Sequence, residues 1–372
     1  MDNGSQGEHS RRGFLAGLAA AALAPRPSWA DVGAPDYLAA ARARDGTFVL
    51  CGLTETGDLT FSQNLPTRGH AAAAHPMRPE AVAFARRPGT FALVMDCRGT
   101  GQVVAELGAP NGRHFYGHGA FSSDGTLLYT SESDYEAAQG RVGIWDAAGG
   151  YRRVGEIPTY GTGPHELLRL PGQETLVVAN GGIETHPSTG RTKLNLDVMQ
   201  PSLVYLSPAG DLLDRVVLAE AWHQNSIRHL AARADGMVAG AFQWQGDLAR
   251  TPPLLMLHRR DMTPKLLHSE AAAHQQMQGY AGSVAFSGDG ARVAITSPRG
   301  GRVEVYATQD GAHTDTVELE DACGVAPASH AGFCVTTGTG ILGRLGVTGF
   351  QQHVQQGVQW DNHLVALRPT GS

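Results

Sequence analysis

Short apolar runs recur along the chain, separated by polar turns and glycine-rich loops. The clearest copy begins at residues 117–122, turns at Ser123-Asp124-Gly125 and continues at residues 127–131, 141–146 and 151–158. A second copy occupies residues 283–286, 292–297, 303–307 and 314–319. Strands of this length joined by tight turns predict four-stranded antiparallel units. Such units, recurring about every 40 to 60 residues, are typical of propeller blades, which bury their faces against neighbouring blades.

Alignment of the copies on the turn after the first strand identifies seven of them. The residues six positions before these turns are His70, His118, His165, His229, Ser283, Cys323 and His363. One more strand fits after His363, at residues 364–366, and three precede the first full copy, at residues 37–42, 47–53 and 58–66. The sequence therefore predicts an all-β fold, one seven-bladed β-propeller over residues 31–372. One C-terminal and three N-terminal strands close it, which removes the open sheet edges.

Residues 1–30 have the pattern of an export signal. Arg11-Arg12 precede Phe14-Leu15, a weakly apolar run at residues 16–24 and the small-residue step Ser28-Trp29-Ala30. This pattern resembles a twin-arginine signal, so we expect cleavage after Ala30 and a periplasmic location. An N-terminal membrane anchor is the alternative, although the apolar run has about half the ~20 residues that a bilayer requires. We expect no membrane span in the mature chain.

The composition of the chain and the motifs that it lacks argue against several classes of partner and cofactor. The 372-residue chain has a formal charge of -6 and two lysines, so we expect no nucleic-acid partner. It lacks the Cys-x-x-Cys-His motif of covalent haem, a phosphate-binding loop and a nucleophile elbow. We therefore expect no nucleotide and no covalent haem. The spacing of the four cysteines identifies no disulfide pair.

The seven aligned positions are the strongest candidates for chemistry. The first strand of a propeller blade is innermost, so equivalent positions in seven blades approach one axis. Neutral imidazole and thiolate are ligands of transition metals. We therefore predict a metal site formed from His70, His118, His165, His229, Cys323 and His363. Two alternatives stay open: histidines that stabilise the blades by hydrogen bonds, as in WD-type repeats, and acid–base catalysis without a metal.

Other polar residues adjoin this ring or lie in the loops that join the second and third strands of the blades. We expect these loops to open on the same face of the propeller as the ring. The residues beside the ring, which could orient ligands, are His114, Tyr116, Glu166, Arg228 and Asn362. The candidates in the face loops are Glu132, Asp134, Asn180, His186 and Arg299. For each of them the alternative is a structural role in a turn or at a blade interface.

Several motifs also carry a resemblance to a known family. They occupy residues 112–119, 163–167, 178–183, 297–301, 323–327 and 360–364. In these motifs the chain is similar to bacterial propellers, exported by the twin-arginine route, that carry domain of unknown function number 1513. The resemblance implies a seven-bladed fold of the WD or YVTN type. It also implies a gene neighbourhood with iron-uptake and cytochrome-like proteins, which would be periplasmic partners, and it brings no established reaction.

The leading hypothesis is a periplasmic protein that binds iron or copper through the histidine ring and acts in metal uptake or redox handling. A non-catalytic interaction scaffold with structural histidines is the first alternative. A propeller-type hydrolase, such as a lactonase, or an oxidoreductase is the second, with Glu132, Asp134 and Glu166 as acidic candidates. The sequence leaves open which metal binds and whether a substrate is turned over.

Overall fold

The structure is a computed structural model that describes residues 27–86, 90–355 and 357–367. Most of the predicted export signal, residues 1–26, lies outside the described residues. A 3₁₀ helix follows it at Trp29–Val32, and the Trp29 indole donates a hydrogen bond to the His75 carbonyl, 2.8 Å away. No helix in the described ranges combines the length and hydrophobicity needed to span a bilayer.

The strands form seven antiparallel sheets of four strands each. The first three strands along the chain are β1 (Tyr37–Arg42), β2 (Phe48–Leu53) and β3 (Leu59–Leu65). Blade 1 contains β4 (Gly69–Ala74), β5 (Glu80–Ala85), β6 (Ala92–Asp96) and β7 (Val103–Leu107). Blade 2 contains β8 (Arg113–Phe121), β9 (Leu127–Asp134), β10 (Gln139–Asp146) and β11 (Arg152–Pro158). Blade 3 contains β12 (Pro164–Arg169), β13 (Leu176–Asn180), β14 (Ser202–Leu206) and β15 (Leu212–Val217).

The remaining blades follow the same order. Blade 4 contains β16 (Asn225–Ala232), β17 (Val238–Trp244), β18 (Leu255–His258) and β19 (Lys265–Leu267). Blade 5 contains β20 (Ser283–Phe286), β21 (Arg292–Ser297), β22 (Arg302–Ala307) and β23 (His313–Glu318). Blade 6 contains β24 (Ala322–Pro327), β25 (Phe333–Thr337), β26 (Ile341–Gly346) and β27 (Gly349–Gln355). The last strand is β28 (Gln359–Ala366).

Blade 7 joins the two ends of the described chain. Its strand order is β28-β1-β2-β3, and β28 pairs with β1 antiparallel, with Tyr37 opposite Ala366 and Ala39 opposite Leu364. This confirms the predicted seven-bladed propeller and its closure by one C-terminal and three N-terminal strands. The closure gives each first strand a neighbouring blade on both sides, so the ring has no free end.

The hydrophobic core lies between blades, because one four-stranded sheet cannot bury its own faces. Second and third strands have blades against both faces, and all residues of β13 and β14 are buried. The fourth strand β7 is mostly exposed, since it lies on the outer rim. Phe84 of blade 1 packs against Phe115 of blade 2, with ring centroids 6.4 Å apart. This packing fixes the angle between adjacent blades and so the positions of their first strands.

Helices are few in the described chain: α1 (Ala271–Gln276) and short 3₁₀ turns at Trp29–Val32, Pro187–Thr189 and Glu220–Trp222. In blade 2 the structure corrects one expectation. Residues 131–134 belong to β9 rather than to a loop, because they pair on both sides, with Asp134 opposite Arg113 of β8 and Gln139 of β10. The strand β8 also starts at Arg113, earlier than the predicted residue 117.

Candidate metal centre

The first strand of each blade lies next to the axis and packs against the first strands of both neighbouring blades. All seven aligned positions are on these strands. His70 is on β4, His118 on β8, His165 on β12, His229 on β16, Ser283 on β20, Cys323 on β24 and His363 on β28. The repeat in the sequence therefore corresponds to one level along the propeller axis.

The five histidines at this level converge into one group, the central histidine cluster: His70, His118, His165, His229 and His363. Ring centroids are 4.5 Å apart for His70 and His363 and 4.6 Å for His118 and His363. The corresponding distances are 4.9 Å for His165 and His229 and 4.7 Å for His229 and His363. Side chains from five blades thus meet at the axis.

β-Bulges turn these side chains inward. The pairing register of the first strand shifts beside the aligned position in β4, β8, β12, β16, β24 and β28. A bulge adds a residue to one strand and redirects the side chains around it. Among the described first strands, β20 pairs in regular register, and it carries Ser283 instead of histidine. The inward histidines therefore depend on a local departure from ideal strand geometry.

Glu166 joins the histidine cluster from β12. Its carboxylate lies 3.1 Å from Nδ1 of His229 and 3.8 Å from Nδ1 of His118. A group of four residues each offers one ligand atom, and these four atoms lie within 4.8 Å of one another: His118, Glu166, His229 and His363. A second group with the same spacing contains His70, His118 and His165. Two ligands on opposite sides of an ion, each at ~2.1 Å, are about 4.2 Å apart. Small side-chain rotations would therefore let the four-residue group bind one ion.

Burial controls the charge of the cluster. It lowers the pKa of His118, His165, His229 and His363 well below the usual range, and neighbouring histidines lower these pKa values further. The Arg228 guanidinium adds to this for His165 and His229. Burial also raises the pKa of Glu166 to about 8. The imidazoles of these four histidines are therefore neutral, which is the form that binds metal ions.

Asp361, which the sequence reasoning did not identify as a site residue, lies beside the cluster. Burial opposes its ionisation, but His70, Arg86 and Arg68 together hold the pKa of its carboxyl well below the usual range. The carboxylate is 2.7 Å from Arg68, 3.1 Å from Arg86 and 3.7 Å from Nδ1 of His70. Asp361 and His363 both lie in the stretch of β28 where the pairing register shifts, so regular strand alternation gave no signal for Asp361.

Other buried histidines of the protein differ from the cluster in their hydrogen bonds. His75 and His258 use both ring nitrogens in hydrogen bonds to backbone or side-chain groups. In the cluster, Nε2 of His118, Nδ1 of His165 and Nε2 of His363 are buried, and none of them has a hydrogen-bond partner among the described residues. A buried polar atom without a partner costs about 1–3 kcal/mol. These three histidines of the cluster therefore lack the bonding pattern of structural histidines.

Cys323 does not join the groups of ligand atoms that the described residues bring together. Its thiol lies 3.5 Å from an oxygen of Asp321 and donates a hydrogen bond to it, and burial raises the pKa of the thiol. The four cysteines are all buried and free. The thiol of Cys323 is therefore protonated, unlike a metal-binding thiolate.

Two cavities adjoin the cluster from the two ends of the channel. The larger, which we name the mouth pocket, has a volume of about 460 Å³. His70, His165 and His229 line its base, and Tyr116, Trp244 and Tyr280 line its walls. The smaller cavity, of about 220 Å³, is lined by Glu166, His229, His363 and later residues of the first strands. The cluster is thus accessible from the loop face through the mouth pocket.

The remaining predicted site residues divide into two sets. Tyr116, Arg228, Arg299 and Asn362 line the mouth pocket. His114 stacks on Tyr135, with ring centroids 5.9 Å apart. Those outside the pocket lining make structural contacts: Glu132 with Arg153, Asp134 with Arg113, Asn180 with the carbonyl of Thr159, and His186 with Ser188. Of the acidic candidates, Glu166 reaches the cluster.

Seven blades around a buried histidine cluster define the molecule as a seven-bladed β-propeller with a candidate metal site on its axis. The chain belongs to the family described as protein of unknown function (DUF1513), whose profile matches residues 63–367. This match confirms the family resemblance found in the sequence motifs.

Other comparisons describe the fold alone. A search of curated proteins found no match. Among solved structures, Kuenenia stuttgartiensis hydrazine synthase is similar, with a TM-score of 0.57 and 13% identity over 87% of this chain and 96% of that chain. A chain of the mitotic checkpoint complex has a TM-score of 0.55 and 12% identity over 77% of this chain and 80% of that chain. Both are similar to this chain in blade architecture.

Proposed function

We propose that this propeller binds a transition-metal ion at His118, Glu166, His229 and His363. The observation that carries the proposal is that Nε2 of His118 and Nε2 of His363 are buried and have no hydrogen-bond partner among the described residues. A bound ion would be the partner of these nitrogens and would offset the cost of burying them. Burial keeps the imidazoles of His118 and His363 neutral, so protons compete little with the ion for these two ligands near neutral pH.

We propose iron or copper as the ion. Imidazole suits both metals, and the carboxylate of Glu166 adds a harder, anionic ligand that iron accepts readily. The proposed ligand set contains no thiolate, which disfavours Cu(I) relative to Fe(II) and Cu(II). Zinc accepts the same ligands and is therefore the necessary competitor in any test.

We propose a periplasmic role in metal uptake or redox handling. The support for this location is the twin-arginine pattern of residues 1–30. The support for partners is the family resemblance, which associates such propellers with iron-uptake and cytochrome-like proteins. The interaction-scaffold alternative shares the fold, but it gives no reason for histidines from five blades to meet with buried ring nitrogens that lack hydrogen-bond partners among the described residues.

Metal content of the purified protein tests the proposal. Mass spectrometry of protein isolated from the periplasm should find about one iron or copper ion per chain, and the metal-free protein should regain one. The variant His229→Ala/His363→Ala should lose the ion, whereas His186→Ala, on a half-buried loop histidine away from the cluster, should keep it. Circular dichroism checks that both variants fold. Equal metal content in both variants would refute the proposed site.

A further inference from the structure

The lining of the mouth pocket is strongly basic. It includes Arg86, Arg191, Lys193, Arg228 and Arg299, and no Asp or Glu among the described residues that line it. These five come from blades 1, 3, 4 and 5. The chain as a whole carries a formal charge of -6. The concentration of positive charge is therefore a local property of this pocket and not of the protein surface.

The cationic side chains that line the mouth pocket lie close to one another. Burial lowers the pKa of Lys193, and the nearby Arg228 and Arg299 lower it further. Lys193 donates a hydrogen bond to the amide oxygen of Gln245, which is neutral. Arg86 is paired with Asp361, but that carboxylate lies outside the pocket lining. An anion in the pocket would relieve the repulsion among these cations.

The walls are suited to a small anion that carries carboxylate groups. Arg299 lies over the ring of Tyr280, with its guanidinium carbon 4.4 Å from the ring centroid, so its fork of N–H groups is held in a fixed orientation. Asn362 donates a hydrogen bond to the Tyr280 hydroxyl, 3.3 Å away. Arginine binds carboxylate and phosphate groups through paired hydrogen bonds. A volume of about 460 Å³ is in the range of small-molecule sites and is too small for a polymer.

We propose that the mouth pocket binds a small polycarboxylate that carries the metal ion as an anionic chelate. This inference rests on the proposed metal site. The pocket has cations on its sides and His70, His165 and His229 at its base. His229 also belongs to the proposed metal site, so an ion delivered by a chelate in the pocket would reach that site through His229. The carboxylates contact the arginines and Lys193, while the ion faces the imidazoles that can replace the chelator as ligands. The pocket therefore selects the chemical form in which the metal is exchanged.

Calorimetry with citrate, ferric citrate and pyrophosphate separates this proposal from its competitors. Metal-free protein should bind both citrate and ferric citrate, and it should bind pyrophosphate more weakly than either. Lys193→Glu/Arg299→Glu should weaken citrate binding at least about tenfold, because two cationic contacts are reversed. The control Arg215→Glu changes an exposed arginine on β15 and should bind citrate as the unmodified protein does.

Two further measurements keep the two proposals distinguishable. The charge-reversal variant should still bind the free metal ion. His118→Ala/His363→Ala, which removes two proposed metal ligands outside the lining of the mouth pocket, should still bind citrate. No citrate binding by the unmodified protein, equal binding by the charge-reversal variant, or tighter binding of pyrophosphate than of citrate would each overturn the carboxylate assignment. Metal binding is measured separately, with the free ion, so none of those results would count against the proposed metal site.

Discussion

A Cβ atom on Gly117 would lie 2.7 Å from Cδ2 of His70. Gly117 is on β8 of blade 2 and has a φ of +98°, whereas His70 is on β4 of blade 1. The glycine therefore meets two requirements, a left-handed backbone within the β8 bulge and space for an imidazole from the adjacent blade. The geometry of the histidine cluster thus depends on a residue that offers no ligand.

Gly117→Ala should damage stability, and it should weaken metal binding because Gly117 directly precedes the proposed ligand His118. The added methyl group strains a left-handed backbone and displaces His70, which we expect to lower the free energy of unfolding by about 1–3 kcal/mol. Urea denaturation and metal titration measure the two effects. Gly155→Ala on β11 is the matched control, because its Cβ would meet no atom within 4 Å. An equal loss of stability in both variants would contradict the steric explanation.

The blade register was predictable because it depends on local turn chemistry. The Asp124 carboxylate accepts hydrogen bonds from the Ser122 hydroxyl and the Thr126 N–H. Asp289 makes the equivalent bonds with the Ser287 hydroxyl and the Ala291 N–H. Such turns need only a few adjacent residues, so they are visible in the sequence. Counting back from each turn then placed the histidines on one level of the axis.

The role of Glu166 at the cluster was not predictable from strand periodicity. Adjacent residues of a regular strand point to opposite faces, so His165 and Glu166 should have diverged. The register shift between Pro164 and Glu166 breaks this alternation. Bulges depend on pairing with another strand, and a single sequence read without its partner strand gives little sign of them.

The basic lining of the mouth pocket was also not predictable from the sequence. Its cationic residues occur between positions 86 and 299, without a local cluster or a period, and the scarcity of lysine suggested no basic face. Only the closure of the ring brings the four contributing blades together. Charge that gathers by long-range topology cannot be found from composition.

Asp361→Asn should destabilise the protein. The carboxylate is buried and bonds to Arg68 and Arg86, so neutralising it leaves two guanidinium groups without their anionic partner. We expect the free energy of unfolding to fall by about 2 kcal/mol, measured by urea denaturation. Asp197→Asn, on an exposed residue of the β13–β14 loop, should change stability little. A loss of the same size in both variants would show that the ion pairs of Asp361 do not add to the free energy of unfolding.

The metal-free protein should lose stability as the pH falls below about 6.5. His118, His165, His229 and His363 have lowered pKa values in the folded state, and unfolding restores their ordinary values. The unfolded chain then binds more protons, so each histidine lowers the free energy of unfolding by up to about 1.4 kcal/mol per pH unit. Denaturation curves between pH 7.5 and 5 measure the slope. His118→Gln/His363→Gln should have a shallower slope, and an identical slope would exclude these histidines as its cause.

Metal binding at pH 7 should release close to one proton per ion. Burial raises the pKa of Glu166 to about 8, so this carboxyl is mostly protonated at pH 7 in the metal-free protein. An ion binds the carboxylate form and displaces the proton, whereas the neutral histidines have no extra proton to lose. Calorimetry in buffers of different ionisation enthalpy counts the protons. Release should decline above pH 8, where Glu166 is already ionised, and Glu166→Gln should release almost none while it retains three imidazole ligands. Equal release by the two proteins would show that Glu166 does not bind the ion.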